Sequence, residues 1–425
     1  MKKLIAISVV FALVAGAVFA VDVSGHVIGT VNVLQGNTDK DAAGDANKVT
    51  SGGGMDRVRI DGSGETEDGV FGGYFRIDGV HWSGSFQAAG NVWWKPIDQL
   101  KVQIGGNGGD GFFGKEGVTG WMFYQTVTDT GVAMGGDNVW GGSIYKMSLT
   151  TRDAFYAGGI DGAHDLYLFI TPADIVSINL QLPFISYSGQ ETADVFKQTI
   201  AQLDFHLDFG NIALTYKGGR GYKEGKAGEE VETLVPVKDY FDDGGDPVTG
   251  LNTKKKETVG GVEGYDEPGK VFLYFGLTAI ENLGIDFGLG YGFPFKDYSQ
   301  PVAVGLGAKY TMDAFGVKFR TVVSIPMEED QSMTVLADVL PFFSINDNIA
   351  AFVSIGLGMM MPPSAAPDGA ESVVGWHFNP YLQVGSEWGA KFLVGIRAWS
   401  TGAKTGYDES KVTNWAVPIA MMVSF

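Results

Sequence analysis

Apolar and polar residues alternate along most of this chain with a period of two, the pattern of strands that present one face to an apolar medium. The clearest run places Leu283, Ile285, Phe287, Leu289, Tyr291 and Phe293 on one face, separated only by Gly and Asp. The same alternation runs through residues 201–209, 271–277, 302–306, 315–325, 349–359 and 390–398. The runs 283–293, 315–325 and 349–359 are each eleven residues long. Globular strands cluster near 5–6 residues, whereas a tilted membrane-spanning strand needs about 9–11. A soluble sandwich also alternates, but its outward face is rich in charge. Here the less apolar face is mostly Gly, Ala and Ser with a sparse charge.

The connections are of two kinds, which mostly take turns from Lys95 onward. Tight ones fall at 96–98, 171–174, 208–211, 280–284, 312–316 and 386–389, and longer polar ones at 36–54, 107–117, 186–194, 218–269, 362–371 and 401–411. That is the pattern of an up-and-down barrel with short periplasmic turns and longer outer loops. About twenty segments qualify as candidate strands, with residues 117–162 fitting no clean template. With both termini on the periplasmic side the number must be even. The predicted fold is therefore all-β: a transmembrane antiparallel up-and-down β-barrel of about 18 strands, within a range of 16–20. Loop 218–269 carries 12 acidic and 7 basic residues and is expected to be solvated or folded into the barrel mouth.

The N-terminus reads as an export signal. Lys2 and Lys3 form a charged start, Leu4 to Val18 an apolar stretch, and residues 17–20 a small-x-x-small end, so cleavage is expected after Ala20. That leaves 21–425 as the barrel, with no separate plug expected, because alternation begins at Val21. At the other end Trp415, Val417, Ile419, Met421, Val423 and Phe425 alternate to an aromatic C-terminus. This end resembles the terminal strand of the bacterial outer-membrane β-barrel porin family, and with the signal and the alternation between them the resemblance is architectural over nearly the whole chain. It implies that the barrel-assembly machinery reads Phe425, that outer-membrane lipid surrounds the barrel, and that the protein forms homo-oligomers, commonly trimers. The segment Asn91–Gly105 and the start Val21–Gly25 are also similar to spirochaete (treponemal) porin-like surface proteins.

Composition narrows the functional classes. The 425 residues include 63 Gly and 53 aromatics (28 Phe, 16 Tyr and 9 Trp), which suits tightly turned β structure. The net charge of −19 argues against a nucleic-acid partner, since nothing concentrates cations against phosphate. The absence of Cys removes disulfides, thiolate metal sites and a Cys nucleophile. The five histidines show no metal-ligand spacing, so neither a metal nor a cofactor is expected. Gly106–Gly111 matches a G-x-G-x-x-G pattern, but another loop follows where a dinucleotide site needs a helix. The acidic stretches 61–68 and 242–246 lack the ligand spacing of a calcium loop.

Charges inside apolar strands carry the most information. A charge on the lipid face at mid-membrane costs about 2–4 kcal/mol, so charges within strands should point into the lumen. By alternation this set is Arg57, Arg59, Arg76, Lys101, Lys309, Lys318, Arg320, Lys391 and Arg397 against Asp61, Asp78, Asp204, Asp286 and Asp338. It is more basic than acidic although the whole chain is acidic, and such rings set ion selectivity in pores. Asp204 and His206 share a face two residues apart, the one pairing here that suits a rim hydrolase. They also suit a wetted wall, so both enter the expected pore lining with no catalytic role. Trp82, Trp93, Trp94, Trp376, Trp388 and Trp415 lie near strand ends, where interfacial girdles belong.

The expected function is passive diffusion of small hydrophilic solutes and ions through an outer-membrane channel, without enzymatic activity. Two other classes fit the same barrel: a surface adhesin or major surface antigen displaying its loops, and a transporter for hydrophobic compounds.

Overall fold

A computed structural model describes residues 20–37, 50–80, 86–105, 133–134, 137–138, 165–184, 192–219, 221–223, 229–236, 252–259, 265–267, 269–294, 299–366, 370, 372–385, 389–400 and 413–424. Nineteen hydrogen-bonded segments among them form one antiparallel sheet that closes on itself. Two of the nineteen, Ala390–Gly395 and Arg397–Ser400, are halves of a single strand. Both pair with Val373–Val384 in one register, Tyr381 opposite Gly395 and Phe378 opposite Ala398. The break falls at Ile396, whose N–H donates to the Pro380 carbonyl at 3.0 Å. Proline has no N–H to return that bond, so the ladder loses one rung without changing course.

The ring thus has 18 strands, nineteen segments less the one interruption. They are β1 (Ala20–Asn37), β2 (Thr50–Glu65), β3 (Phe71–Val80), β4 (Phe86–Ile97), β5 (Leu100–Ile104), β6 (Leu166–Ala173), β7 (Val176–Leu182), β8 (Ile200–Leu207), β9 (Gly210–Lys217), β10 (Lys270–Ile280), β11 (Leu283–Gly292), β12 (Val302–Met312), β13 (Phe315–Ile325), β14 (Met333–Asn346), β15 (Ile349–Met361), β16 (Val373–Val384), β17 (Ala390–Gly395 with Arg397–Ser400) and β18 (Asn414–Ser424). β18 pairs with β1, Val423 opposite Val27 and Ile419 opposite Val31, which removes every free edge. β5 pairs directly with β6, Lys101 opposite Phe169, so the ring closes without a strand from the intervening residues.

Six of the connections are two-residue turns: 98–99, 174–175, 208–209, 281–282, 313–314 and 347–348. Each contains Asp or Asn, side chains that tolerate left-handed backbone. Asn282 and Asp313 adopt it, with φ of 62° and 49°. The short turns lie at one end of the barrel and the longer connections at the other, and both described termini lie at the short-turn end. Ala20 is opposite Glu65, and the Ser424 N–H donates to the Gly389 carbonyl.

The 218–269 connection contains antiparallel ribbons. Gly221 lies opposite Glu267, Glu229 opposite Val259 and Pro236 opposite Asn252. That register is offset by one residue from the β9–β10 pairing, in which Lys217 is opposite Lys270. The described residues of this loop therefore carry antiparallel pairing onward beyond the β9–β10 hairpin. Three other long-end loops are tied together. The Ser299 N–H donates to Glu328 at 2.8 Å, Gln331 donates to the Ser299 carbonyl at 2.6 Å, and the Ala365 N–H donates to the Glu329 carbonyl at 2.8 Å.

The two faces differ as the alternation predicts. Leu273, Leu306, Tyr310, Met312, Ile355, Leu357, Phe378, Phe392 and Met421 are exposed on the outside. Residues of the opposite parity, among them Phe272, Asp286, Ala303, Arg320, His377, Leu393 and Ala420, are buried on the inside. An outer wall of exposed large apolar side chains around a polar inner wall inverts the soluble pattern and suits a bilayer.

Candidate functional site

Directly opposed residues of an antiparallel sheet share a face, so register carries the face assignment around the ring. One inward row crosses eleven strands: His206, Asn211, Gly276, Asp286, Gly307, Arg320, Asp338, Gly356, His377, Trp399 and Asn414. Four residues expected from sequence, His206, Asp286, Arg320 and Asp338, lie on this single row. Glycine alternates with large polar residues along part of it, which gives their side chains space to lie along a crowded concave wall. At Gly356 a Cβ would collide with both the His377 ring and the Asp338 carboxylate.

The charges on this row are engaged. Arg320 holds Asp338 through Nε at 2.7 Å and through a terminal nitrogen at 2.6 Å, with both side chains buried. His377 Nε2 lies 2.9 Å from Ser354 Oγ and 4.0 Å from Asp338 Oδ1. Tyr274 donates to Asp286 at 2.5 Å. Pairing of this kind offsets the cost of burying an ion.

The other expected residues gather in separate inward groups. On β2 and β3, Asp61 accepts from Tyr74 and from Arg76 Nε at 2.7 Å. Arg59 sits opposite Asp78 and Arg57 opposite Val80. Lys101 lies over the rings of Trp93 and Phe169, 5.4 and 5.1 Å from their centres. Lys309 and Lys318 are directly opposed, so two cations share one point of the wall. Lys391 is buried beside Met422, and Arg397 stacks on Trp399 at 4.1 Å.

Asp204 and His206 are brought together through a third residue. Ser177 Oγ lies 3.4 Å from Asp204 and 3.2 Å from His206 Nε2, while Asn179 and Gln202 donate to Asp204 at 3.0 and 2.6 Å. A hydrolytic triad needs the carboxylate on the imidazole nitrogen remote from the serine. Here the carboxylate and the imidazole both meet the serine, so the relay is missing.

Sequence reasoning left several inward groups out. Trp93 was assigned to a girdle, but it faces inward opposite Gly72 and Gln103, with Lys95 4.7 Å from its ring. Its neighbour Trp94 takes the outer face and stacks on Phe71 at 6.3 Å. Phe342, Phe352 and Tyr381 also face inward and stack in succession at 5.8 and 4.8 Å. Leu393, Ala420 and Met422 pack beside them to make an apolar cluster inside the barrel. The parity of Phe352 was available, because it falls between Ala351 and Val353 of an alternating run. On β14 the sequence Val339-Leu-Pro-Phe-Phe343 does not alternate, which hid Phe342.

The acidic stretch 61–68 is divided between two places. Asp61 is on the inner wall, whereas Asp68 lies in the β2–β3 turn and accepts from Thr66 at 2.6 Å and the Val70 N–H at 3.1 Å. Gly106–Gly111, residues 242–246, His81, His164, Trp82, Trp388, Phe425 and the signal segment 1–19 lie outside the described residues.

The inner wall is not evenly wetted. On β10 to β18 most inward side chains are buried, including Asp286 at 0% and His377 at 1% exposure. The inner walls of β2 and β3 are half-buried at Arg59, Asp61 and Arg76, and His206 on β8 is exposed. Gln103, Tyr167, Gln181, Gln202 and Thr215 on β5 to β9 are buried as well, so the inner wall is crowded around most of the ring.

No protein-family model matches the chain, and no curated protein matches it. Among solved structures, the anion-selective porin from Comamonas acidovorans is similar at 11% identity, with 96% of this chain and 100% of that one covered and a TM-score of 0.47. Salmonella typhi OmpF in complex with daunomycin is similar at 10% identity, with coverages of 95% and 97% and a TM-score of 0.47. Outer-membrane expressed OmpT of Vibrio cholerae is similar at 10% identity, with coverages of 95% and 97% and a TM-score of 0.40.

Proposed function

We propose that the protein is a channel of the bacterial outer membrane that passes small hydrophilic solutes and ions by diffusion. The observation that carries this reading is the closed ring of 18 strands with large apolar residues outside and paired charges inside. Barrels of 16–18 strands are wide enough to hold an aqueous path, and their inward charges set which ions enter it. In this barrel the path is narrowed by buried inner side chains on β5 to β18. Residues Arg57, Arg59, Arg76, Asp78, Lys101, Asp204, His206, Asp286, Lys309, Lys318, Arg320, Asp338, Lys391 and Arg397 are the proposed lining. No enzymatic role is assigned, since the Ser177, Asp204 and His206 group lacks the required geometry.

The resemblance noted from sequence supplies the rest of the proposal: removal of residues 1–20 on export, recognition of Phe425 by the barrel-assembly machinery, outer-membrane lipid around the barrel and assembly into a homo-oligomer. The narrower resemblance to spirochaete surface proteins rests on the residues quoted for it alone. A transporter for less polar solutes is favoured by one observation, the inward cluster of Phe342, Phe352 and Tyr381.

Single-channel recording of the refolded 21–425 chain in a planar bilayer tests the proposal. Discrete conductance steps are expected, and the reversal potential in a KCl gradient reports whether the inner bases or the loop acids dominate selectivity. A folded, heat-modifiable barrel that never conducts removes the open-channel reading.

A further inference from the structure

The short-turn end of the barrel carries charge of one sign. Each of the six two-residue turns contains a carboxylate: Asp98, Asp174, Asp208, Glu281, Asp313 or Asp347. The β2–β3 turn adds Glu67 and Asp68, with Glu65 beside it. All of these side chains are exposed, and no Lys or Arg stands in any of these turns. Turn geometry does not account for the sign, because Asn or Gly tolerates the same backbone. The long loop 218–269 is mixed by comparison, with 12 acidic and 7 basic residues.

Just inside this rim the sign reverses. Lys95 and Lys101 stand three and two residues from turn 98–99, and Lys309 and Lys318 each stand four residues from turn 313–314. At roughly 3.4 Å per residue and a strand tilt of about 40°, that places them about 5–10 Å below the rim. All four are half-buried, so each keeps surface open to the lumen. The Lys95 and Lys101 ammonium groups lie 4.7 and 5.4 Å from the centre of the inward Trp93 ring, and Lys309 faces Lys318 directly. With buried Lys391 on β17, five described lysines occupy this depth, against the three inward carboxylates Asp22, Asp204 and Asp286. Of these, Asp286 is 0% exposed and accepts from Tyr274, so it is shielded from the lumen.

We propose that these two zones, an acidic rim and a basic band in series, make the channel an ion rectifier that conducts better when its short-turn side is positive. The inference rests on the channel reading and deepens it. Carboxylates at the rim raise the local cation concentration, and lysines in the band raise the local anion concentration. With the short-turn side positive, K⁺ enters through the rim while Cl⁻ enters through the band from the other end. Both collect where the zones meet, and the conductance rises. The opposite polarity draws both ions away from that junction and depletes it. The Debye length is about 10 Å at 0.1 M salt and about 3 Å at 1 M, so zones 5–10 Å apart act on the current at the lower concentration and are screened at the higher.

Single-channel current–voltage curves of the refolded 21–425 barrel in symmetric KCl test the proposal. Orientation is fixed by streptavidin bound beforehand to biotinylated Ser364→Cys, an exposed long-loop position, which keeps that end in the chamber of addition. The two polarities are expected to differ in conductance by at least about twofold at 0.1 M KCl, and the ratio to fall toward one at 1 M. Asp98→Asn, Asp313→Asn and Asp347→Asn together should lower the ratio and shift the reversal potential in a KCl gradient toward Cl⁻ selectivity. Lys309→Gln with Lys318→Gln should also lower the ratio but shift selectivity toward K⁺. Opposite shifts separate an effect of charge from a general distortion of the pore. Should the second variant not reach the heat-modifiable folded form, Lys95→Gln with Lys101→Gln takes its place with the same expectation. Equal conductance at both polarities in 0.1 M KCl, the opposite polarity favoured, or a ratio unmoved by either set of substitutions overturns the proposal. A barrel that conducts symmetrically refutes this inference and leaves the channel reading intact, whereas a folded barrel that never conducts refutes both.

Discussion

Placing Arg at two outward positions of β12 tests the membrane assignment directly. Leu306 is 41% exposed near the middle of the strand, and Met312 is 51% exposed at its short-turn end. The six residue steps from one to the other span about 20 Å at roughly 3.4 Å per residue. With a strand tilt of about 40° that becomes about 15 Å of depth, more than half of an apolar band about 25 Å tall. Leu306→Arg therefore puts a charge near the bilayer centre, where it costs about 2–4 kcal/mol, and Met312→Arg puts one at the interface, where it costs about 0–1 kcal/mol. The first cost changes the folding equilibrium by roughly 30- to 700-fold. Denaturant unfolding of the barrel in lipid vesicles, followed by tryptophan fluorescence and heat-modifiable mobility, measures both. In a water-exposed barrel either substitution would fall within about 0.5 kcal/mol of wild type. Two small and equal costs would refute the bilayer assignment, because exposure alone does not distinguish the two sites.

Three further outcomes follow from the inner wall and the rim. Arg320→Met leaves Asp338 buried with only His377 nearby, so a loss of about 3–5 kcal/mol is expected in the same unfolding assay, and adding Asp338→Leu should recover most of it. Gly356→Ala forces a methyl group into the space of His377 and Asp338, and a loss of about 1–3 kcal/mol is expected by the same measurement. The Ser299 N–H donates to Glu328 and holds its carboxyl below the ordinary range, so this tie is present above the usual Glu pKa of about 4.3 and is lost as pH falls through the lowered value. Hydrogen exchange at Ser299, corrected for its intrinsic pH dependence, should accelerate on acidification, and Glu328→Gln should remove that step.

Much of the fold was legible because the information is local. The face a residue takes in a strand depends on its parity, so alternation alone was enough to read the outer wall. Asp or Asn stands in each two-residue turn, and at Asn282 and Asp313 it does so in left-handed backbone that few other residues tolerate. An even strand count followed from both ends lying on one side. Where alternation failed, so did the reading: Trp93 and Trp94 are adjacent, so only one could face the bilayer, and Val339–Phe343 concealed an inward aromatic.

What the chain order alone could not settle is which inward residues meet. Strand register is set by pairing between segments far apart in sequence, and each turn, bulge or break adds to it around the ring. Only the closed sheet brings Arg320 onto Asp338 and places His377 across Gly356. Only closure, with β18 against β1 and β5 against β6, shows that the ring is complete without the ambiguous 117–162 segment. Burial of the inner wall is likewise collective, since crowding on a concave surface depends on every neighbour at once. The sequence determined which face each strand shows to lipid, by a period of two that any short segment carries. The tertiary structure decided which charges pair and which inward side chains are buried together, because that depends on register summed over the whole ring.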